Sequence, residues 1–129
     1  MRTMDERVRA ALSHGGTAAM TTTGRRTGRP RRVIVAFRNI GGRVYVSGRP
    51  GFPRSWMANL RAEPRFRFQL GADVRGDLAA EARPILEPDE RRRILAHFAR
   101  GWGYDVERMV AGSPLIEVTF PEASESLAS

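Results

Sequence analysis

Two stretches of this chain concentrate residues able to hold an anion. The first, Gly24-Arg25-Arg26-Thr27-Gly28-Arg29-Pro30-Arg31, sets four arginines in a glycine-bounded turn. Backbone N–H groups freed at such a turn form an anion nest, and guanidinium forks add charge-assisted bonds to phosphate or carboxylate. A solvated hairpin tip carries the same residues, and sequence physics weighs site and tip evenly. The second stretch runs from Ser47-Gly48-Arg49 through Arg54-Ser55-Trp56 to Asn59-Leu60. It leads a loop with two arginines into a helix start, where unpaired N–H groups favour phosphate. Trp56 there packs under a planar ring or, the commoner use, anchors the core. Asn59 shares a helix face with Trp56 and Leu60, and a buried amide needs hydrogen-bond partners.

Other catalytic templates are missing. Gly-Lys-Ser/Thr is absent from the arginine turn, and no Gly-x-Gly-x-x-Gly precedes a helix. Cysteine is absent, which removes disulfides, thiol nucleophiles and thiolate metal sites. The two histidines, His14 and His97, have no zinc-ligand spacing, and His97 beside Phe98 reads as a satisfied structural side chain. No nucleophile elbow is present. Asp89-Glu90 reads as a helix cap. A chain without resident nucleophile or metal must borrow its chemistry, and a redox cofactor is the usual source.

The net charge of +8 comes from 22 basic residues, all arginine, against 14 acidic ones. Codon bias in a GC-rich genome accounts for arginine over lysine but not for the basic excess, which implies affinity for anions. At 129 residues the chain makes one domain, residues 1–129, with a single core. No apolar run approaches the roughly 18 to 20 residues a membrane span needs. Met1 to Ala11 is charged and lacks the apolar core of a signal peptide, so a cytoplasmic location is the default.

The elements that must position these stretches follow from periodicity. Asp5 to Ser13 reads as a short amphipathic helix within an N-terminal segment 1–16. Thr17 to Thr23 reads as a strand, and Arg31 to Arg38 returns with Val33, Val35 and Phe37 on one side. Gly41-Gly42 is a second hairpin turn, and Val44 to Ser47 a third strand. A helix spans about Arg54 to Ala62 and is stopped by Glu63-Pro64. Arg65 to Leu70 alternates, with Phe66, Phe68 and Leu70 inward; Leu78 to Leu86 is the next strand. Pro88 opens a helix with Ile94, Leu95, Phe98 and Trp102 on one stripe, ended by Gly101 or Gly103. Leu115 to Phe120 is the last strand, and 122–129 reads as a disordered tail. About six antiparallel strands with inserted helices make an α+β, mainly β fold and favour a closed or nearly closed barrel.

The run from Thr21 to Arg31, then Val44-Tyr45-Val46-Ser47-Gly48, then Trp56-Met57-Ala58-Asn59-Leu60-Arg61-Ala62-Glu63-Pro64 resembles the deazaflavin-dependent nitroreductase family. That family belongs to the flavin-binding split β-barrel superfamily, with pyridoxamine phosphate oxidase-like proteins. The resemblance spans roughly residues 17 to 120 and implies an FMN-binding split barrel type of fold, commonly paired into homodimers. It implies an oxidoreductase that moves a hydride from reduced coenzyme F420 (8-hydroxy-5-deazaflavin) to a quinone, enone or nitro compound, with FMN as the alternative cofactor. Carried over, Arg25, Arg26 and Arg31, with Gly28 in their turn, would face anionic groups. Ser47, Gly48 and Arg49 would cradle the phosphate region, Trp56 and Asn59 would flank the cofactor, and Val33 and Ile34 would approach its ring. Tyr104 would stand where the family has a proton-donating tyrosine. Met57 replaces the aromatic usual after the Trp.

Two rivals use the same residues. The first is a non-enzymatic binder or carrier of a deazaflavin, flavin, haem or fatty acyl ligand. The second is a nucleic-acid module docking through the basic hairpin; Phe66 and Phe68 read as core, which leaves the strands without the exposed aromatics of single-strand binders.

Overall fold

A computed structural model describes residues 5–51, 54–71 and 75–121. The six strands are β1 (Gly16–Thr23), β2 (Pro30–Ile40), β3 (Arg43–Ser47), β4 (Arg65–Gly71), β5 (Arg75–Pro84) and β6 (Leu115–Thr119). They close into one antiparallel barrel in the order β1-β2-β3-β6-β5-β4, with β4 returning to β1. The β2–β3 connection is a two-residue turn in which Gly41 and Gly42 both take positive φ (63° and 87°), the twist that hairpins favour.

Alternation along each strand divides the wall into two faces. Val35 and Phe37 of β2, Val44 and Val46 of β3, and Phe66, Phe68 and Leu70 of β4 point inward, as their spacing predicts. Phe68 is wholly buried and meets Phe37 and Phe120 edge-on, with centroids 5.3 and 5.5 Å away. Two helices close the barrel's ends. Helix α1 (Glu6–His14) brings Val8 and Leu12 to the end where Gly76 and Leu70 lie. Helix α2 (Ser55–Ala62) brings Trp56 and Leu60 to the other end.

A second cluster lies outside the wall. Helix α3 (Pro88–Trp102) and helix α4 (Val106–Gly112) pack Ile94, Leu95, Phe98 and Met109 against Tyr45 and Leu115 on the outer face of β3 and β6. Arg91 is buried here, with no acidic partner among the described residues. Its guanidinium donates to four backbone carbonyls: Ile85 (2.8 Å), Val110 (3.0 Å), Met109 (3.2 Å) and Ser113 (2.6 Å). Burial alone pushes its pKa below the usual arginine value.

Several expectations need correction. Helix α4 was not foreseen. Strand β5 begins at Arg75 rather than Leu78 and stops at Pro84 rather than Leu86. The cap of α3 is Glu87, whose carboxylate accepts from the Glu90 amide at 2.6 Å. Asp89 and Glu90 instead pair with Arg92 and Arg83. His97 is exposed, so it is not a satisfied interior side chain. The expected tail lies outside the described residues.

Candidate functional site

The β1–β2 connection folds on itself. The Gly24 amide donates to the Arg29 carbonyl and the Gly28 amide to the Gly24 carbonyl, both at 2.8 Å. Gly28 takes φ 71°, and a Cβ on Gly24 would lie 2.9 Å from Thr27 Oγ1 and 3.1 Å from the Arg29 carbonyl, so glycine is required at both. The Arg25 amide donates to Asn59 Oδ1 at 3.1 Å, and so does the Arg25 guanidinium. Asn59 Nδ2 in turn donates to Thr22 Oγ1 at 3.3 Å. This corrects the idea of a free amide nest: the amides of Gly24, Arg25, Gly28 and Arg29 are all donated within the protein. The anion-binding capacity left is mainly that of the guanidinium groups.

The second stretch is anchored from the far side of the barrel wall. Ser47 is buried and its hydroxyl donates to the Pro114 carbonyl at 2.7 Å. The Gly51 amide donates to the Gly112 carbonyl at 3.2 Å. Arg54 folds back over the loop, donating to the Arg49 carbonyl at 2.8 Å. A Cβ on Gly48 would sit 2.8 Å from Arg54 Nη2, so the chain has glycine where that guanidinium lies against its backbone. Arg54 is also the residue that starts α2, and it offers no side-chain cap to the helix amides.

These two stretches share one groove. A cavity of about 650 Å³ is lined by Arg25, Arg26, Arg31, Arg32, Ser55 and Asn59. An adjoining cavity of about 510 Å³ is lined by Ile34, Ala36, Ser47, Gly48, Arg49 and Tyr104. Val33, Arg54 and Trp56 line both. The hairpin and the loop therefore face the same side of the barrel, as one ligand gripped by both would require. No acidic side chain lines either cavity among the described residues, and the arginines there give the groove a positive character.

Its floor is the outer face of β2, where Ile34 is 60% exposed. Trp56 is both wall and core, being only 7% exposed. The far wall comes from the end of α3. Trp102 packs on Phe98 with centroids 5.3 Å apart, and Gly103, at φ 72°, turns the chain so that Tyr104 also reaches the groove. Arg108 lies over the Tyr104 ring at 5.9 Å. Of the residues singled out from sequence, Gly28 does not line the groove; it shapes the turn's apex. Reasoning from sequence placed Arg54 in the second anion-holding stretch but missed Arg32 and Trp102. Trp102 was visible only as a stripe member, and Arg32 is outward-facing by strict alternation with Val33.

An open-sided groove bordered by arginines on a closed six-stranded antiparallel barrel is the architecture of a split barrel. The model of the F420H(2)-dependent quinone reductase family matches residues 1–119, and the chain belongs to that family. It is accordingly an F420-dependent oxidoreductase. Solved structures agree on the fold. A conserved hypothetical protein, Rv2991, from Mycobacterium tuberculosis shares 18% identity at TM-score 0.71, over 93% of this chain and 82% of that one. A putative pyridoxamine 5'-phosphate oxidase from Listeria innocua shares 16% at TM-score 0.64, over 89% and 91%. An F420-H2 dependent reductase, FDR-A, shares 22% at TM-score 0.60, over 92% and 99%. Among the described residues no helix is long and apolar enough to cross a membrane.

Proposed function

We propose that the groove holds reduced coenzyme F420 and admits a small electrophile, a quinone before an enone or nitro compound, to the face left open. The observation that carries this reading is the continuity of the two cavities through Val33, Arg54 and Trp56. It gives one ligand a first half walled by Arg25, Arg26, Arg31 and Arg32 and a second half where Ile34, Ala36 and Trp56 stand beside Arg49. When bound, the coenzyme supplies the hydride; the chain's own residues bind, orient and exclude water.

Arg25, Arg26 and Arg31 are the groups for the glutamyl tail, and Arg49 with the Gly48 backbone for the phosphate. Ser47 supports that end indirectly, because its hydroxyl hydrogen is donated to Pro114. Asn59 likewise acts through Arg25, whose position it fixes. Ile34, Ala36 and Trp56 provide apolar surface for a planar ring, and the strand backbone at Val33 and Ile34 runs beneath it. Tyr104, on the opposite wall, carries the hydroxyl best placed to deliver a proton to the reduced product. Positioning of this kind accounts for catalysis without a covalent protein intermediate.

The test is turnover. Purified protein mixed with reduced coenzyme and menadione should oxidise the coenzyme, and the coenzyme should raise the melting temperature more than FMN does. Stabilisation by coenzyme without turnover would favour the carrier reading, and stabilisation by FMN alone would reverse the cofactor assignment.

A further inference from the structure

We propose that Arg91, which does not line the groove, is a positioning residue for the loop that carries Gly48 and Arg49. The inference rests on the reading of that loop as the coenzyme's phosphate subsite. The linkage runs through backbone carbonyls. Arg91 collects the carbonyls of Met109, Val110 and Ser113, which fixes the turn where α4 gives way to β6. Two carbonyls of that same turn hold the loop: Gly112 accepts from the Gly51 amide, and Pro114 accepts from Ser47 Oγ. The approach is close, since a Cβ on Gly112 would lie 3.2 Å from Gly51 N and 3.6 Å from Pro50 Cβ.

A buried guanidinium that meets backbone carbonyls and no carboxylate among the described residues is an uncommon choice for stability alone, because a charge is expensive to desolvate. Its planar fork does what no apolar residue can, joining three carbonyls of one turn and a fourth at Ile85 in a single rigid plane. Arg91 also ties α3 to α4, the two helices that flank the Trp102–Tyr104 wall. Both sides of the groove's second half are thereby referred to one side chain.

The experiment compares the whole coenzyme with its deazaflavin chromophore stripped of phosphate and glutamyl tail, in Arg91→Lys and in Gly112→Ala. The second variant leaves Arg91 bonded and only raises a methyl against Gly51. We expect each to weaken the coenzyme about tenfold, a usual size for coupling between sites, while the stripped chromophore changes less than about twofold. In amide NMR spectra the Gly48 and Gly51 resonances should move while those of β1 and β4 hold. Equal weakening of both ligands, or an unmoved Gly51 resonance, overturns the proposal. An unaltered protein that ignores the coenzyme overturns the proposed function instead, and the resonances alone then decide the linkage. Should Arg91→Lys fail to fold, Arg91→Gln, which keeps two of the donors, takes its place in the same comparison, and Gly112→Ala tests the turn-to-loop half of the linkage.

Discussion

Asn59 Oδ1 accepts two hydrogen bonds from Arg25, one from its amide and one from its guanidinium, each 3.1 Å long. One oxygen on α2 thus fixes both the backbone and the side chain of the arginine turn 34 residues earlier. Asn59→Ala should destabilise the fold by about 1–3 kcal/mol, because Arg25 and the buried Thr22 hydroxyl lose a partner. Thermal denaturation measures that loss. Coenzyme affinity should fall as well, and a variant with wild-type affinity would show that the turn needs no such fixing.

Arg31→Ala and Arg49→Ala act in the two adjoining halves of the groove. Each should weaken the coenzyme by about 1–3 kcal/mol if it makes a charged hydrogen bond, and leave the melting temperature of the free protein nearly unchanged. Fluorescence titration reads the affinity, and unchanged binding removes that arginine from the site.

Tyr104→Phe isolates the hydroxyl. The ring keeps its contacts with the groove and with Arg108, so coenzyme binding should persist. If the hydroxyl delivers a proton, kcat should drop by about 10²-fold or more with little change in KM, the usual worth of a general acid. An unchanged kcat would make Tyr104 a wall residue.

Arg83 holds Glu90 at 2.7 Å and Glu117 at 2.8 Å, joining β5, α3 and β6. The hydrogen bond from Arg83 is the main reason the Glu90 carboxyl titrates below its ordinary value of 4.5. A depressed carboxyl adds stability that is complete above 4.5 and is lost as pH falls through the lower folded-state value. Glu90→Gln should therefore lower the melting temperature at neutral pH, with the gap narrowing progressively below pH 4.5. Half of the Arg83 side chain is exposed, which limits the effect to under about 1 kcal/mol after screening. A gap that stays constant into acid would mean the pair contributes nothing.

The barrel was legible because strands with one buried face declare it by alternation. Arg65 to Leu70 is the clearest case, and its inward Phe66, Phe68 and Leu70 are all buried. Helix α4 was not legible. Seven residues hold only Val106, Met109 and Val110 as a stripe, too few for periodicity, although Asp105 is a cap whose carboxylate accepts from the Arg108 amide. The cap of α3 was misplaced because Pro88 hid it: with proline at the first helical position, the cap is the residue before, Glu87. The meeting of the two arginine stretches depends on closure of the barrel, which no local pattern encodes. The resemblance supplied that step, and the charge pattern alone did not. Nor could sequence show that Asn59 and Ser47 give their polar atoms to the protein, since both bonds join distant segments.

Strand β2 has two jobs written into alternate letters. The side chains of Val33, Val35 and Phe37, at odd positions, pack against the core, though Val33 and Val35 also border the groove, while Arg32, Ile34 and Ala36, at even positions, line it from the outer face. A single residue inserted into β2 would exchange the two sets along the rest of the strand. The same event would set a guanidinium or small side chain among the packed aromatics and strip the ligand's bed of its own surface. Such an insertion cannot trade catalysis against folding; it forfeits both. Substitution at an even position, by contrast, leaves the interior intact, so new substrate preferences can arise on this wall one side chain at a time.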